Sequence, residues 1–138
     1  MIPGIAGVKL SGMSTETVRT YIKAVPADFE VYSGNDREVI RLAESGGAGI
    51  VSGISTVYPK VFVDAVAAIN TGGDAAAFQD EIDQVVASVG GGDISLLKAG
   101  VAMKGLPAGP TRVSLEPPTL EALAALSEQL NLTTEGAL

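Results

Sequence analysis

Three short apolar runs, each closed by small or polar residues, punctuate the first half of the chain. Ile5-Ala6-Gly7-Val8-Lys9-Leu10 ends at Ser11-Gly12, Phe29-Glu30-Val31-Tyr32-Ser33 ends at Gly34, and Ala48-Gly49-Ile50-Val51-Ser52-Gly53 closes on its own small residues. Runs of this length between turn residues predict buried β-strands. Helical patterns fill the gaps. Ser14 can cap a helix with Glu16 in its first turn, Val18, Tyr21, Ile22 and Val25 at helical spacing, and Pro26 as its stop. Asn35 and Asp36 can cap a second helix carrying Val39, Ile40, Leu42 and Ala43, which Gly46-Gly47 ends. A third runs from about Tyr58 to Asn70 and stops at Gly72-Gly73. Strand and helix thus alternate three times, the signature of a parallel sheet with right-handed crossovers.

The alternation then gives way to helices alone. Asp74 is the expected cap of a helix bearing Phe78, Ile82, Val85, Val86 and Val89, and Asp93 of one that runs to Lys104 and stops at Gly105. A connector with Pro107, Pro110, Pro117 and Pro118 leads to a last helix, capped by Thr119, with Leu120, Leu123, Leu126 and Leu130 on one face. A frayed tail is expected from Thr133. The pattern divides the chain into βα units over residues 1–73 and a helical region over 74–138. Three βα units are a small sheet with two open edges, whereas a closed barrel takes eight strands and roughly 250 residues.

Composition narrows the chemistry. With no Cys and no His, thiolate nucleophiles, disulfides, imidazole bases and His or Cys metal ligation are excluded. No metal and no cofactor are expected. The net charge is −7, and no two of the nine cations are adjacent, a poor match to nucleic acid or an anionic membrane surface. Met1-Ile2-Pro3-Gly4 lacks the charged and apolar regions of a signal peptide, and no apolar stretch reaches membrane-spanning length, so the cytoplasm is the expected compartment.

Functional groups of parallel α/β sheets gather at the carboxyl ends of the strands. Here that means Lys9-Leu10-Ser11-Gly12, Ser33-Gly34-Asn35-Asp36 and Val51-Ser52-Gly53. A lysine so placed has two readings. It is an ordinary strand-end lysine with its head in water, or an amine held in a low-dielectric interior, where loss of the proton makes it a nucleophile. Ser33-Gly34-Asn35-Asp36 is either a helix cap or a set of substrate contacts. Gly46-Gly47-Ala48-Gly49 precedes a strand instead of opening a helix, so it reads as a helix stop and not a phosphate loop. Tyr21, Tyr32 and Tyr58 read as packing residues.

Gly7-Val8-Lys9-Leu10-Ser11-Gly12 resembles the sixth-strand Schiff-base motif of the dihydrodipicolinate synthase/N-acetylneuraminate lyase family of pyruvate-dependent class I aldolases. Tyr32-Ser33-Gly34-Asn35-Asp36 is similar to its seventh-strand turn, and Gly46-Gly47-Ala48-Gly49-Ile50-Val51-Ser52 to its eighth-strand motif, all in register. The resemblance implies an α/β fold comprising strands six to eight of a (β/α)8 TIM barrel with a C-terminal three-helix region. It implies Lys9 as the imine-forming lysine, acting without a cofactor on pyruvate or another 2-keto acid. It places Gly34 and Val51 beside the imine, and Ser33 with Asn35 among the substrate contacts. Asn35 and Asp36 also fall where the polyol chain of a longer substrate would lie. The family's carboxylate-binding loop and its catalytic Tyr belong to the second and fifth strands and have no counterpart in residues 1–138. Leu10, where many relatives have Asp or Glu, and Gly92-Asp93-Ile94-Ser95, in place of an Asn-Pro-type turn, point to a less typical aldolase or lyase member. Self-association or docking with an N-terminal half-barrel is the expected way of covering the open sheet. The rival expectation is a noncatalytic half-barrel that serves as a structural or interaction module.

Overall fold

The computed structural model describes residues 4–135, which form two compact units. The first comprises the described residues up to Ser52 together with Val63–Gln79, and the second comprises Gly53–Phe62 and the described residues from Asp80 onward. No helix among the described residues is long and apolar enough to cross a membrane.

The first unit is built on a three-stranded parallel sheet in the order β1 (Gly7–Leu10), β2 (Glu30–Ser33), β3 (Gly49–Ile50). Lys9 lies beside Tyr32 and Leu10 beside Ser33, while Tyr32 and Ser33 pair onward with Gly49 and Ile50. The expected strand Ala48–Gly53 contracts to two residues. Backbone bonds from Ala48 N–H to the Val31 carbonyl and from Val51 N–H to the Ser33 carbonyl, both 2.9 Å, extend the attachment on either side. Helix α1 (Thr15–Ala24) starts where its sequence signal says, because the Ser14 hydroxyl accepts from Thr17 N–H. Val18 faces the core, but Tyr21 is 43% exposed, so its expected packing role fails. The core joins Leu10, Val18, Val31 and Leu42, flanked by Val8, Ile22, Val25, Phe29 and Ile50.

A 3-10 turn (Asp36–Glu38) leads into α2 (Val39–Glu44). Asn35 Oδ1 accepts from Arg37 N–H at the start of that turn. The end of α2 satisfies its orphan carbonyls through Gly46 N–H to Ala43 O (3.0 Å) and Gly47 N–H to Leu42 O (2.9 Å). Gly46 stands at φ +83°, where a side chain would be strained. The glycine pair is therefore a helix stop, as its place in the sequence implies.

Helix α3 (Pro59–Thr71) begins in the second unit and continues in the first. A 3-10 turn (Ala75–Phe78) follows it, and Asp74 makes no capping bond there, contrary to expectation. In the second unit a 3-10 turn (Ile54–Thr56) precedes α3, followed in sequence by α4 (Gln79–Ser88), α5 (Ile94–Met103) and α6 (Leu120–Glu135). Ile82, Val85, Val86 and Val89 are buried, as their stripe predicts. Asp93 does cap α5, accepting from Leu96 N–H at 3.0 Å. Helix α5 packs on α6 and on the Ile54–Thr56 turn. Closeness there depends on Gly100, where an added Cβ would stand 2.7 Å from Val57 Cγ1. On α6, Leu126 and Leu130 are buried while Leu120, in the first turn, is 86% exposed. The helix continues past Thr133 to Glu135, so the expected tail is helical at its start, and the remainder lies outside the described residues.

Tyr58 is the tyrosine that packs as expected, at 3% exposure, its hydroxyl 3.0 Å from Ser88 Oγ. The Lys104 ammonium lies 5.7 Å from the Tyr58 ring centroid and donates to the Val57 carbonyl. Burial pushes the Tyr58 phenol up and the Lys104 ammonium down.

Candidate active site

Parallel pairing brings the carboxyl ends of β1, β2 and β3 to one side of the sheet. Lys9 is the penultimate residue of β1 and Ser33 the last of β2, and Val51-Ser52 continue from β3. The Gly34 N–H donates to the Leu10 carbonyl at 2.8 Å, fixing the turn after β2 against the end of β1.

Gly34 and the Lys9 amine are immediate neighbours. A Cβ added at Gly34 would stand 2.8 Å from Lys9 Cε, 3.1 Å from Lys9 Nζ and 3.3 Å from Ser11 Oγ. Only a residue without a side chain leaves the amine where it is. Lys9 itself is exposed, so in this chain its head reaches the open end of the sheet and is not sealed inside a core.

The other expected residues separate by environment. Ser33 is 3% exposed, and its hydroxyl accepts from Asn35 N–H at 3.1 Å. That bond holds the turn in shape. Asn35 is exposed and its carbonyl oxygen serves as the cap already described. Val51 is 52% exposed, an apolar surface at the end of β3. Tyr32, half-buried on β2, donates from its hydroxyl to Glu30 at 2.8 Å, and that bond is the first cause of its raised pKa.

Asp36 carries a signal the sequence did not reveal. Its side chain is buried, at 8% exposure, and Oδ1 has no hydrogen-bond partner. Burial lifts the carboxyl above its ordinary value of 3.8. A hydrogen bond with Ser52, its own backbone N–H and the charge of Lys9 pull the other way without cancelling the rise. The sequence presented Asp36 as one more polar residue of a helix cap. Nothing local distinguishes a cap that faces water from a carboxyl folded inward.

The raised pKa has a definite sign for stability. The folded chain holds the Asp36 proton more tightly than the unfolded chain, so this group's contribution is greatest below 3.8 and is lost as pH rises through the folded-state value. Asp36→Asn is therefore expected to raise the melting temperature at neutral pH, with the gain shrinking as pH falls toward 4. Thermal melts of both chains across that range measure it. An equal or lower Tm for the variant at neutral pH contradicts the assigned cost of burial.

Among the described residues no group of three or more acidic side chains could hold a metal ion. What the strand ends do assemble is one amine, three hydroxyls (Ser11, Ser33, Ser52), one buried carboxyl and a side-chain-free turn. Such a set suits attack of the amine on a carbonyl compound.

Known proteins share this framework. A 4-hydroxy-tetrahydrodipicolinate synthase from Moorella thermoacetica is 30% identical over 135 residues, covering 96% of this chain and 46% of that enzyme. The lysine-bound dihydrodipicolinate synthase of Cyanidioschyzon merolae superposes with a TM-score of 0.85 at 24% identity, over 97% of this chain and 46% of that one. A prophage protein of the dihydrodipicolinic acid synthase family from E. coli, solved in complex with pyruvate, gives a TM-score of 0.80 at 22% identity, over 94% and 46%. The chain thus spans less than half the length of these relatives. The family model described as the dihydrodipicolinate synthetase family matches residues 1–133, and the chain belongs to that family.

Proposed function

We propose that residues 1–138 are the part of a (β/α)8 barrel that holds strands six to eight and the following helices, and that this part carries the imine-forming lysine of an aldolase or lyase acting on pyruvate or another 2-keto acid. The observation that carries the reading is the Lys9 amine set against Gly34 at the carboxyl end of the sheet, in a chain of this family. The pyruvate complex of the E. coli relative supports the choice of substrate class.

The chemistry follows from the amine. Neutral Lys9 attacks C2 of the keto acid and gives a carbinolamine, which takes up a proton and loses water to leave a protonated imine. That cation draws electrons from the neighbouring carbon. Loss of a C3 proton then yields an enamine, or rupture of the C3–C4 bond does so in retro-aldol cleavage. Gly34 leaves room for the imine carbon, Val51 supplies an apolar wall, and Ser33 with Asn35 shapes the turn that meets the substrate. Carboxylate anchoring and proton shuttling belong to the second and fifth strands of the family, which residues 1–138 do not contain. A preceding segment or a second chain supplies them.

Borohydride reduction in the presence of pyruvate tests the reading. The expected product gains the mass of pyruvic acid less one oxygen atom, maps to the peptide containing Lys9, and is lost in Lys9→Ala. Absence of that adduct from the folded chain, or equal labelling across the surface lysines, would refute a competent imine site on the isolated chain. It would favour instead a noncatalytic module or a piece that needs its complement.

A further inference from the structure

The three hydroxyls at the strand ends differ in what holds them. Ser33 is buried and accepts from Asn35 N–H, and Ser52 is hydrogen-bonded to the Asp36 carboxyl. Ser11, the first residue after β1, is exposed. It stands two residues beyond Lys9, and in extended chain that spacing returns a side chain to the same face. Gly34 shows where the two meet. The point that a Cβ at Gly34 would occupy lies 3.1 Å from Lys9 Nζ and 3.3 Å from Ser11 Oγ. Amine and hydroxyl therefore flank one opening, above a residue with no side chain to fill it. The floor of that opening is fixed, because Gly34 N–H donates to the carbonyl of Leu10, the residue between Lys9 and Ser11.

A nucleophile and a hydroxyl converging on one small space suit addition to a carbonyl group. Lys9 Cε is 2.8 Å from the same point, so the carbonyl group stands slightly beyond it, within reach of both. Attack of the neutral amine on C2 leaves the nitrogen with one proton too many and the keto oxygen with one too few. Direct transfer between those atoms passes through a small, strained ring. A hydroxyl bridging them opens the ring: its oxygen takes the N–H proton while its own proton goes to the oxygen on C2.

We propose that Ser11 is a catalytic residue of imine formation at Lys9: its hydroxyl carries a proton from the attacking nitrogen to the former keto oxygen and then hydrogen-bonds that oxygen as it leaves. The role rests on Lys9 forming the imine. Ser11 ends each transfer with the proton count it began with. The proton that turns the carbinolamine hydroxyl into water comes from solvent, which reaches this exposed residue. The C2–O bond then breaks as the nitrogen lone pair closes the C=N bond.

Timed labelling of Lys9 by pyruvate and cyanoborohydride, which reduces the imine as it forms, tests the role in the parent chain, Ser11→Ala and Ser11→Thr. Ser11→Ala is expected to slow the adduct about 100-fold, the low end for a positioned proton carrier, since water substitutes in part. Ser11→Thr keeps the hydroxyl and most of the rate. Acetylation of Lys9 by acetic anhydride, which passes through no carbinolamine, is expected to be the same in all three chains. Ser11 is exposed, so both variants are expected to melt with the parent. Equal adduct rates for the parent and Ser11→Ala overturn the role and leave the imine reading standing. Acetylation that falls in step with the adduct in Ser11→Ala also overturns it, since the serine then only holds the lysine in place. Absence of the adduct from the parent chain itself removes the imine reading and this role together.

Discussion

Gly34→Ala is expected to lower pyruvate-dependent labelling of Lys9 by about 100-fold while leaving the melting temperature nearly unchanged. The asymmetry follows from what the new methyl meets. Its contacts at 2.8 and 3.1 Å are the last two atoms of a flexible, exposed side chain, not backbone. The lysine therefore yields by swinging away, at little cost to the fold. Gly34 is absent from the glycines at positive φ, so alanine brings no backbone strain either. The Gly34 N–H to Leu10 bond, which uses no side chain, is kept. Chemistry is less forgiving, since an amine displaced by about 1 Å no longer meets the carbonyl along its attack path. Borohydride trapping measured beside a thermal melt separates the two effects. Unchanged labelling in the variant would mean that the amine does not work from its position against Gly34.

Gly7→Ala is expected to do the reverse, destabilising the first unit by about 3 kcal/mol, a value typical of forced overpacking against an unyielding neighbour. A Cβ at Gly7 would lie 2.6 Å from the Glu30 carbonyl oxygen and 3.1 Å from Glu30 Cβ. Gly7 and Glu30 are register partners, and the Glu30 N–H donates to the Ala6 carbonyl at 2.9 Å. Relief requires β1 to part from β2, since a backbone oxygen within a parallel ladder has no rotamer to change. Urea unfolding, with hydrogen exchange of the β1 and β2 amides to localise the loss, checks the expectation. A midpoint equal to that of the parent would show that the pair separates without cost.

These two glycines look alike in the sequence, each next to an apolar strand, and only the structure tells a flexible neighbour from a rigid one. Much else was legible. Apolar runs bounded by glycine, serine and proline locate all three strands, and Ser14 and Asp93 mark helix starts because their oxygens reach local N–H groups. The family resemblance rests on the same strand ends, where Gly34 stands against the Lys9 amine. What escaped detection depends on partners distant in sequence. The third strand keeps two ladder residues where its apolar run suggested six, because pairing, not hydrophobicity, defines a strand's length. Leu120 fits the helical stripe of Leu126 and yet is exposed, since periodicity describes a face without saying how far the neighbouring element extends along it. Asp74 has the chemistry of a cap and makes no capping bond. The inward-turned Asp36 carboxyl finds its hydrogen-bond partner in Ser52, which lies on another segment of the chain.

Val51 divides its labour between its two halves. The amide belongs to the fold, donating to Ser33, while the side chain, half in solvent, belongs to whatever stands before the sheet. The hydrogen bond is indifferent to which side chain the residue carries. If Val51 is the apolar wall proposed above, mutation there alters that wall's shape and polarity without loosening β3, and a lineage can explore new substrates at this position with its stability intact. Lys9 has no such latitude, for its contribution to the site is the amine itself.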